Sequence, residues 1–211
     1  MVRPSKGEYN LKYMYKEIID NIINNQNEIL SKIDKESISV YLYLKKEYEK
    51  GSIKDNKVFQ FVFRSFYRLD NAGLSDELKT HYFKLLSNKN IKLEKILLEL
   101  YDFKTLRGYN AVQFSFATKL LHTIDNRLPI FDAEASRVLK IRVSGSGKEK
   151  IKSCLTAYKK MKQTYLVLLE DKKILILINK FRNKFKLKDK DITNEKILDF
   201  IIWSLGKVIS K

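Results

Sequence analysis

Cysteine, proline and glycine are all scarce in this chain of 211 residues. Cys154 is the only cysteine, so no disulfide can form within the chain, and we expect a reducing, cytoplasmic compartment. Two prolines and seven glycines are too few for a typical turn-rich β-sandwich or barrel. These shortages exclude disulfide-stapled folds and argue against turn-rich ones.

Long hydrophobic runs are also missing. The N-terminal segment, MVRPSKGE, contains no apolar run of signal-peptide length. The longest apolar runs, near Leu166–Leu169 and Ile174–Ile178, are much shorter than a membrane span. We therefore expect a soluble protein with no membrane partner.

Positive charge is abundant. Lys and Arg number 42 against 25 Asp and Glu, which gives a net charge of +17. Such an excess favours a polyanionic partner such as nucleic acid. The alternative is a solvated lysine-rich surface that reflects a compositional habit of the genome.

Apolar residues recur at helical spacing along almost the whole chain, and no segment shows convincing strand alternation. We expect Gly51 to end a helix, and Asp55, Ser75 and Thr193 to cap the N-termini of others. The pattern predicts an all-α protein of roughly nine or ten helices, an architecture that often forms two lobes with a cleft between them. The predicted helices cover about 11–23, 37–50, 57–71, a stretch from 75, 91–101, 110–124, 132–141, 148–169, 172–186 and 194–207.

Several common functional motifs are absent. The Gly145–Lys148 segment lacks the earlier glycine and the following Ser or Thr of a phosphate-binding loop. His81, His122 and Cys154 are isolated from one another in the sequence, so we expect neither a metal site nor Cys–His catalysis. No cofactor is indicated.

The segment Leu106–Val138 carries the most information. Gly108 lies in a short connection between two predicted helices, where it either simply ends a helix or lets backbone N–H groups bind a phosphate. Asp132 follows a rigid apolar turn that contains Pro129, and it falls near a helix N-terminus. It is either an N-cap or a catalytic carboxylate, and the residues alone leave both interpretations open.

This segment resembles the helix-hairpin-helix DNA glycosylase superfamily, in particular its compact oxidised-guanine glycosylases of archaeal and bacterial type. The family's hairpin is matched by Leu106–Asn110, the second helix of the hairpin by Gln113–Lys119, and the turn before the family's functional Asp by Leu128–Asp132. A second match, Leu198–Gly206, looks like the closing helix of the archaeal-type enzymes. There Asp199 and Trp203 lie four residues apart, on one helix face.

The chain departs from the family pattern at one position. Bifunctional members carry a lysine at the start of the hairpin's second helix, where alignment places Val112 or Phe114 in this chain. Lys119 follows two turns later on roughly the same face and is either a substitute nucleophile or a structural lysine. The resemblance therefore favours base excision over strand cleavage, and a monofunctional enzyme.

The resemblance implies a function and a set of roles. The protein would flip a modified base out of double-stranded DNA, either an oxidised purine such as 8-oxoguanine or a hypermodified phage base, and hydrolyse its N-glycosidic bond. Asp132 would be the catalytic carboxylate, with Lys119 as a tentative second group. Phe116, Asp199 and Trp203 would line the base pocket. Arg107, Gly108, Tyr109 and Asn110 would hold the DNA backbone.

The same resemblance implies one glycosylase-like domain over residues 1–211, present as a monomer. One lobe would comprise about 36–130, and the other 1–35 together with 131–211. Two non-enzymatic alternatives remain. One is a catalytically inactive DNA-binding protein on the same fold, and the other is an all-α protein-interaction module.

Overall fold

The computed structural model describes residues 6–51 and 53–210, with side chains from residue 12 onward, and it is all-α over those ranges. The only strand-like pairings there are two isolated bridges, Leu74–Thr105 and Lys104–Asn110. The predicted all-α class is confirmed. The α-helices of the described ranges are α1 (Lys6–Asn24), α2 (Gln26–Lys32), α3 (Lys35–Lys50), α4 (Lys57–Tyr67), α5 (Asp76–Leu86), α6 (Leu93–Tyr101), α7 (Phe114–Ile124), α8 (Ala133–Leu139), α9 (Lys150–Glu170), α10 (Lys172–Phe185) and α11 (Asn194–Ile209).

Side-chain caps account for most of the helix starts. Ser75 accepts a hydrogen bond from the Leu78 N–H, and Thr193 accepts one from the Lys196 N–H, both at 3.2 Å, as predicted. The prediction of Asp55 as the cap of α4 is wrong. The neighbouring Asn56 caps this helix instead, because its side chain accepts from the Phe59 N–H at 2.9 Å.

The backbone conformation at single residues determines where helices end, and the apolar pattern does not always indicate it. Gly51 ends α3 with φ of 81°, in the region that favours glycine, as predicted. Helix α4 ends at Tyr67, earlier than the predicted 71, because Arg68 adopts a left-handed conformation and closes the helix. The predicted first helix, about 11–23, lies within α1, and the short helix α2 that follows Asn25 was not predicted.

The connection between α6 and α7 is longer than predicted. The second helix was expected to start at Asn110, but it starts at Phe114. Asn110 instead donates its side-chain N–H to the Tyr101 carbonyl at 2.7 Å and so holds the loop to the end of α6. The asparagine side chain thus competes with the backbone hydrogen bonds that a helix would form at this position.

Aromatic side chains form much of the core around α4 and α5. Phe59, Phe63 and Tyr67 are buried, and the Phe63 ring lies 5.9 Å from Tyr82 and 5.6 Å from Phe83. These three residues belong to an aromatic stripe at helical spacing along α4, and they pack into the core. A fourth member of the stripe, Phe66, is only half-buried.

Helix α11 packs against α8, α2, α9 and α10. Its contact with α8 is the closest, because a Cβ added to Gly206 would lie 2.5 Å from the Glu134 Cβ. This packing fixes the N-terminus of α8 beside α11. Within the described ranges, no helix is both long enough and apolar enough to cross a bilayer. Residues 1–5, 52 and 211 of the predicted single domain lie outside the described residues.

Candidate functional site

A cavity of about 390 Å³ lies where α3, α4, α7, α8 and α11 face one another. Four of the predicted site residues line it together: Asp132, Lys119, Asp199 and Trp203. We call it the Asp132 cavity. Its walls are formed by Lys32, Ile33, Ser37, Phe66, Tyr67, Arg68, Lys119, Ile130, Asp132, Ala133, Glu134, Lys196, Asp199, Phe200, Trp203 and Lys207.

Asp132 caps α8 and lines the cavity at the same time. Its Oδ1 accepts from the Ala135 N–H at 2.8 Å, while Oδ2 has no hydrogen-bond donor among the described residues. Burial raises the pKa of the Asp132 carboxyl and the Asp199 carboxylate adds to the rise, whereas the Ala135 N–H and the Lys119 ammonium oppose it. The two interpretations of Asp132 are therefore compatible, because one oxygen caps the helix and the other is left for chemistry.

Lys119 reaches the cavity from the middle of α7. Its Nζ donates to the Tyr67 carbonyl at 3.2 Å and lies 4.7 Å from the centre of the Phe116 ring. Burial lowers the pKa of the Lys119 ammonium, and the carboxylates of Asp132 and Asp199 oppose that shift. A lysine amine with a lowered pKa beside a carboxylate is suited to nucleophilic or proton-transfer chemistry.

A buried ion pair lies on α11 within the same cavity. The Lys196 Nζ is 2.8 Å from Asp199 Oδ2, and the Tyr165 hydroxyl donates to Asp199 Oδ1 at 3.4 Å. Lys196 is only 2 % exposed, and its ammonium lies 4.9 Å from the centre of the Tyr41 ring and 4.4 Å from that of Phe200. Both oxygens of Asp199 are thus held in place by protein donors.

Trp203 lies on the same face of α11 as Asp199, as the spacing predicted. It lines the cavity but remains 36 % exposed, which makes it one of the few large apolar side chains at the surface. The Lys207 ammonium lies 5.5 Å from the centre of its ring. An indole in this position offers a flat face to a planar ligand in the cavity.

Phe116, predicted to lie in the base pocket, is not among the residues that line the Asp132 cavity. Its ring instead packs against the Lys119 ammonium, and its carbonyl accepts from the Tyr82 hydroxyl at 2.9 Å. The α7 residue that lines the cavity is Lys119, one turn later. Besides the predicted Trp203, the aromatic lining comes from Phe66, Tyr67 and Phe200, which were not predicted as site residues.

Neither position that aligns with the family lysine reaches the cavity. Phe114 is buried, and its ring packs 4.4 Å from that of Phe131, while Val112 is partly buried against the core. No cluster of three or more His, Cys, Asp or Glu side chains suited to a metal ion occurs among the described residues.

The hairpin predicted to hold DNA is exposed from Leu106 to Asn110. Gly108 has φ of +82°, in the left-handed region as expected, but its N–H donates inward to the Thr105 carbonyl at 2.9 Å. The Thr105 N–H donates in turn to the Tyr109 carbonyl at 2.9 Å. The Gly108 N–H itself therefore closes the turn and is not free to bind a phosphate.

Other residues at the cavity were not singled out from the sequence. They include the cations Lys32, Arg68 and Lys207 and the carboxylate Glu134, which pairs with Arg137 and Lys207. Arg68 follows directly after the aromatic stripe of α4, and nothing in the apolar pattern indicates which helix end meets the cavity. The only signal for Arg68 in the sequence was a charged residue next to a helix end, which is common on any protein surface.

No protein-family model matches this sequence, and searches of curated proteins and of solved structures find no match either. The chemistry of the cavity is therefore the basis on which a function is assigned.

Proposed function

We propose that this protein is a DNA N-glycosylase of the helix-hairpin-helix type, which flips a modified base into the Asp132 cavity and excises it. The observation that carries the proposal is the convergence of Asp132, Lys119, Asp199 and Trp203 on one cavity. These residues come from three different helical segments, α7, α8 with its cap, and α11. The volume, about 390 Å³, lies within the range of small-ligand sites and suits one extruded nucleotide.

In this proposal Asp132 stabilises the sugar. Positive charge grows on the deoxyribose as the base departs, and a fixed carboxylate oxygen offsets it and orients the attacking water. Asp132 Oδ2, which no protein donor occupies in the described residues, is the group for that task. Because burial raises its pKa, the carboxyl becomes protonated at a higher pH than a solvated aspartate. Activity would therefore fall earlier on the acid side than it would for an exposed aspartate.

Lys119 offers a second route. A neutral Lys119 amine would attack the sugar C1′, the base would leave with the bonding electron pair and take up a proton, and the resulting aminal would open to an imine. The lowered pKa of Lys119 and its place in the same cavity as Asp132 support this route more strongly than the sequence alone does. Hydrolysis assisted by Asp132 alone is the alternative, and it leaves an abasic site.

The base would lie against Trp203 and Phe66. Asp199, held by Lys196 and Tyr165, would accept a ring N–H of the base. The substrate class is an oxidised purine such as 8-oxoguanine or a hypermodified phage base. In this scheme Phe116 supports the Lys119 ammonium and does not contact the base.

Double-stranded DNA would bind across the exposed hairpin. Arg107 and Tyr109 have exposed side chains for the phosphates, while Gly108 and Asn110 keep the turn in shape. The first turn of α7, which Gln113 precedes without a side-chain cap, adds backbone N–H groups. We propose that the protein acts as a monomer with lobes at about 36–130 and at 1–35 plus 131–211, so that the Asp132 cavity lies at their junction.

A panel of modified-base duplexes tests the proposal. The protein is incubated with each duplex, and strand breaks are measured with and without alkali. In a parallel reaction, borohydride is added to trap any covalent complex between protein and DNA. Breaks that need alkali indicate excision through water. A borohydride-trapped covalent complex that is lost in Lys119→Gln indicates the lysine route.

The two non-enzymatic alternatives predict different results from the same panel. A DNA-binding protein without chemistry would bind the duplexes in a salt-dependent way and break none of them. A protein-interaction module would show no salt-dependent DNA binding at all. Either result would overturn the proposal.

A further inference from the structure

Most of the cations that line the Asp132 cavity already have a partner in the protein. Three of them pair with carboxylates, at 2.8 Å for Lys196 and Asp199, 3.4 Å for Lys207 and Glu134, and 3.9 Å for Lys32 and Glu28. A fourth, Lys119, donates to the Tyr67 carbonyl at 3.2 Å. The remaining cation is Arg68, whose guanidinium forms no hydrogen bond or ion pair with the described residues. The side chain of Arg68 is exposed, so a ligand can reach it.

The end of α4 fixes Arg68 at the edge of the cavity. Its φ of 58° closes the helix, its N–H donates to the Ser65 carbonyl at 3.2 Å, and the next residue, Leu69, is fully buried. Burial lowers the pKa of the Lys119 ammonium, and the positive charge of Arg68 adds to that shift. The guanidinium is therefore close enough to the inside of the cavity to act on a group bound there.

A nucleotide in this cavity has to leave its phosphate at an accessible edge, because a buried anion without a paired cation is costly. In the proposed function the base lies against Trp203 and Phe66, and the sugar lies beside Asp132. Phe66 and Arg68 are only two residues apart at the end of α4, and both line the cavity. The exposed guanidinium is thus next to the wall against which the base would lie.

We propose that the Arg68 guanidinium binds the phosphate of the nucleotide whose base occupies the Asp132 cavity. The planar guanidinium matches two phosphate oxygens, and such charge-assisted hydrogen bonds are stronger than neutral ones. The ligand class is then a nucleotide, with Asp132 at its sugar and Arg68 at its phosphate. This inference deepens the proposed function and rests on it for the source of the nucleotide, which is DNA there and would otherwise be a free nucleotide.

A duplex with one neutral phosphate tests the contact. The duplex carries a tetrahydrofuran residue, an analogue of an abasic site that has no base to release. The phosphate on its 5′ or its 3′ side is replaced by a methylphosphonate, and affinities are compared by fluorescence anisotropy with those of the fully charged duplex. We expect one of the two replacements to weaken binding to the unmodified chain about tenfold, because charge-assisted hydrogen bonds are lost.

Two variants with the same backbone geometry locate the contact. Arg68→Gly should preserve the fold, because glycine suits a φ of 58°. It should bind the charged duplex about tenfold more weakly than the unmodified chain does, and it should not distinguish that duplex from the methylphosphonate duplex. Lys186→Gly is the matched control, because Lys186 closes α10 with a φ of 55°, is exposed and does not line the cavity. The control should keep the difference between the duplexes. If Arg68→Gly keeps it as well, the assignment is overturned.

Trp203 fluorescence separates DNA from a free nucleotide as the source of the phosphate. Trp203 is the only tryptophan of the chain and lines the cavity, so its emission reports occupancy. Deoxyguanosine and deoxyguanosine 3′,5′-bisphosphate are titrated into the unmodified chain and into Arg68→Gly. Quenching that needs both the phosphates and Arg68, in a chain that binds no duplex, would support the phosphate site and overturn the proposed function.

The opposite pattern separates the two proposals in the other direction. Base release in the panel of modified duplexes, with duplex affinities that do not depend on Arg68, would overturn this inference and leave the proposed function standing. Absence of both duplex binding and Trp203 quenching would overturn both.

Discussion

His122 is a fully buried imidazole whose neutral form the fold requires. Burial lowers its pKa from 6.5 to about 4, the Lys196 ammonium adds to the shift, and Asp199 opposes it. The unfolded chain takes up a proton near pH 6.5, whereas the folded chain resists until about pH 4. The contribution of His122 to stability is therefore complete above pH 6.5 and is lost as the pH falls between these values.

The free energy of unfolding should fall by about 3 kcal/mol over this interval through His122 alone. Urea unfolding of the unmodified chain and of His122→Asn between about pH 7 and pH 4.5 measures this contribution. The asparagine amide can still donate to the Leu128 carbonyl, but it does not titrate. The variant should lose less stability on acidification. Parallel profiles for the two proteins would contradict the neutral buried state of His122.

Individual residues show where sequence reasoning reached its limit. Asp132, Asp199 and Trp203 were expected at one site because of the family resemblance. They meet in one cavity because i and i+4 residues share a helix face and a capping residue is fixed by its helix. Lys119 was expected from its position to be a structural lysine more readily than a nucleophile, since the sequence does not reveal burial. Phe116 does not line the cavity, whereas Lys119, one turn later on α7, does.

At the scale of helices, the contact of α8 with α11 holds the two sides of the Asp132 cavity together. Gly206 makes this contact possible, because an added Cβ would lie 2.5 Å from the Glu134 Cβ and 2.9 Å from its Cα. The Gly206 carbonyl also accepts from Arg137 at 3.2 Å. A side chain at position 206 would move α8, and with it Asp132, away from Asp199 and Trp203.

Gly206→Ala should therefore destabilise the protein by about 1–3 kcal/mol through overpacking. Helix propensity alone predicts the opposite sign, a gain of about 1 kcal/mol. Ile209→Ala, at an exposed position of the same helix, is the control and should change stability by less than about 0.5 kcal/mol. Thermal or urea unfolding of the three proteins decides the sign. A more stable Gly206→Ala variant would show that the helices are not in this close contact.

The helices themselves were largely predictable, but the way they pack was not. Apolar periodicity placed most of the helices, and Gly51, Ser75 and Thr193 marked the ends expected of them. The start of α7 was missed by four residues, because Asn110 bonds the Tyr101 carbonyl in place of starting a helix. The α4 wall of the Asp132 cavity was missed because periodicity indicates which face of a helix is apolar but does not indicate what that face packs against.

At the scale of the whole molecule, a net charge of +17 favours long-range attraction to a polyanion such as the DNA that we propose as the partner. Composition does not tell where each cation lies. Lys196 is buried in an ion pair, whereas Arg107 is exposed on the hairpin and has no partner among the described residues. Only cations of the second kind release counterions from DNA and so contribute to a salt-dependent affinity.

Arg107→Ala should weaken DNA binding on every duplex and lower the slope of log K against log salt by about 1. Arg127→Ala is the matched control, because the guanidinium of Arg127 is already paired with Asp125 at 2.8 Å. Fluorescence anisotropy over a range of salt concentrations measures both slopes. If the two variants change the slope equally, the hairpin is not the DNA-binding surface.

The most direct test of the whole account compares base release by the unmodified chain and by Asp132→Asn on a duplex that the unmodified chain cleaves after alkali. Asparagine caps a helix as well as aspartate does, so α8 and the fold should be retained. The account predicts unchanged DNA affinity and a loss of base release of at least about a hundredfold. Base release by Asp132→Asn near the rate of the unmodified chain would contradict it.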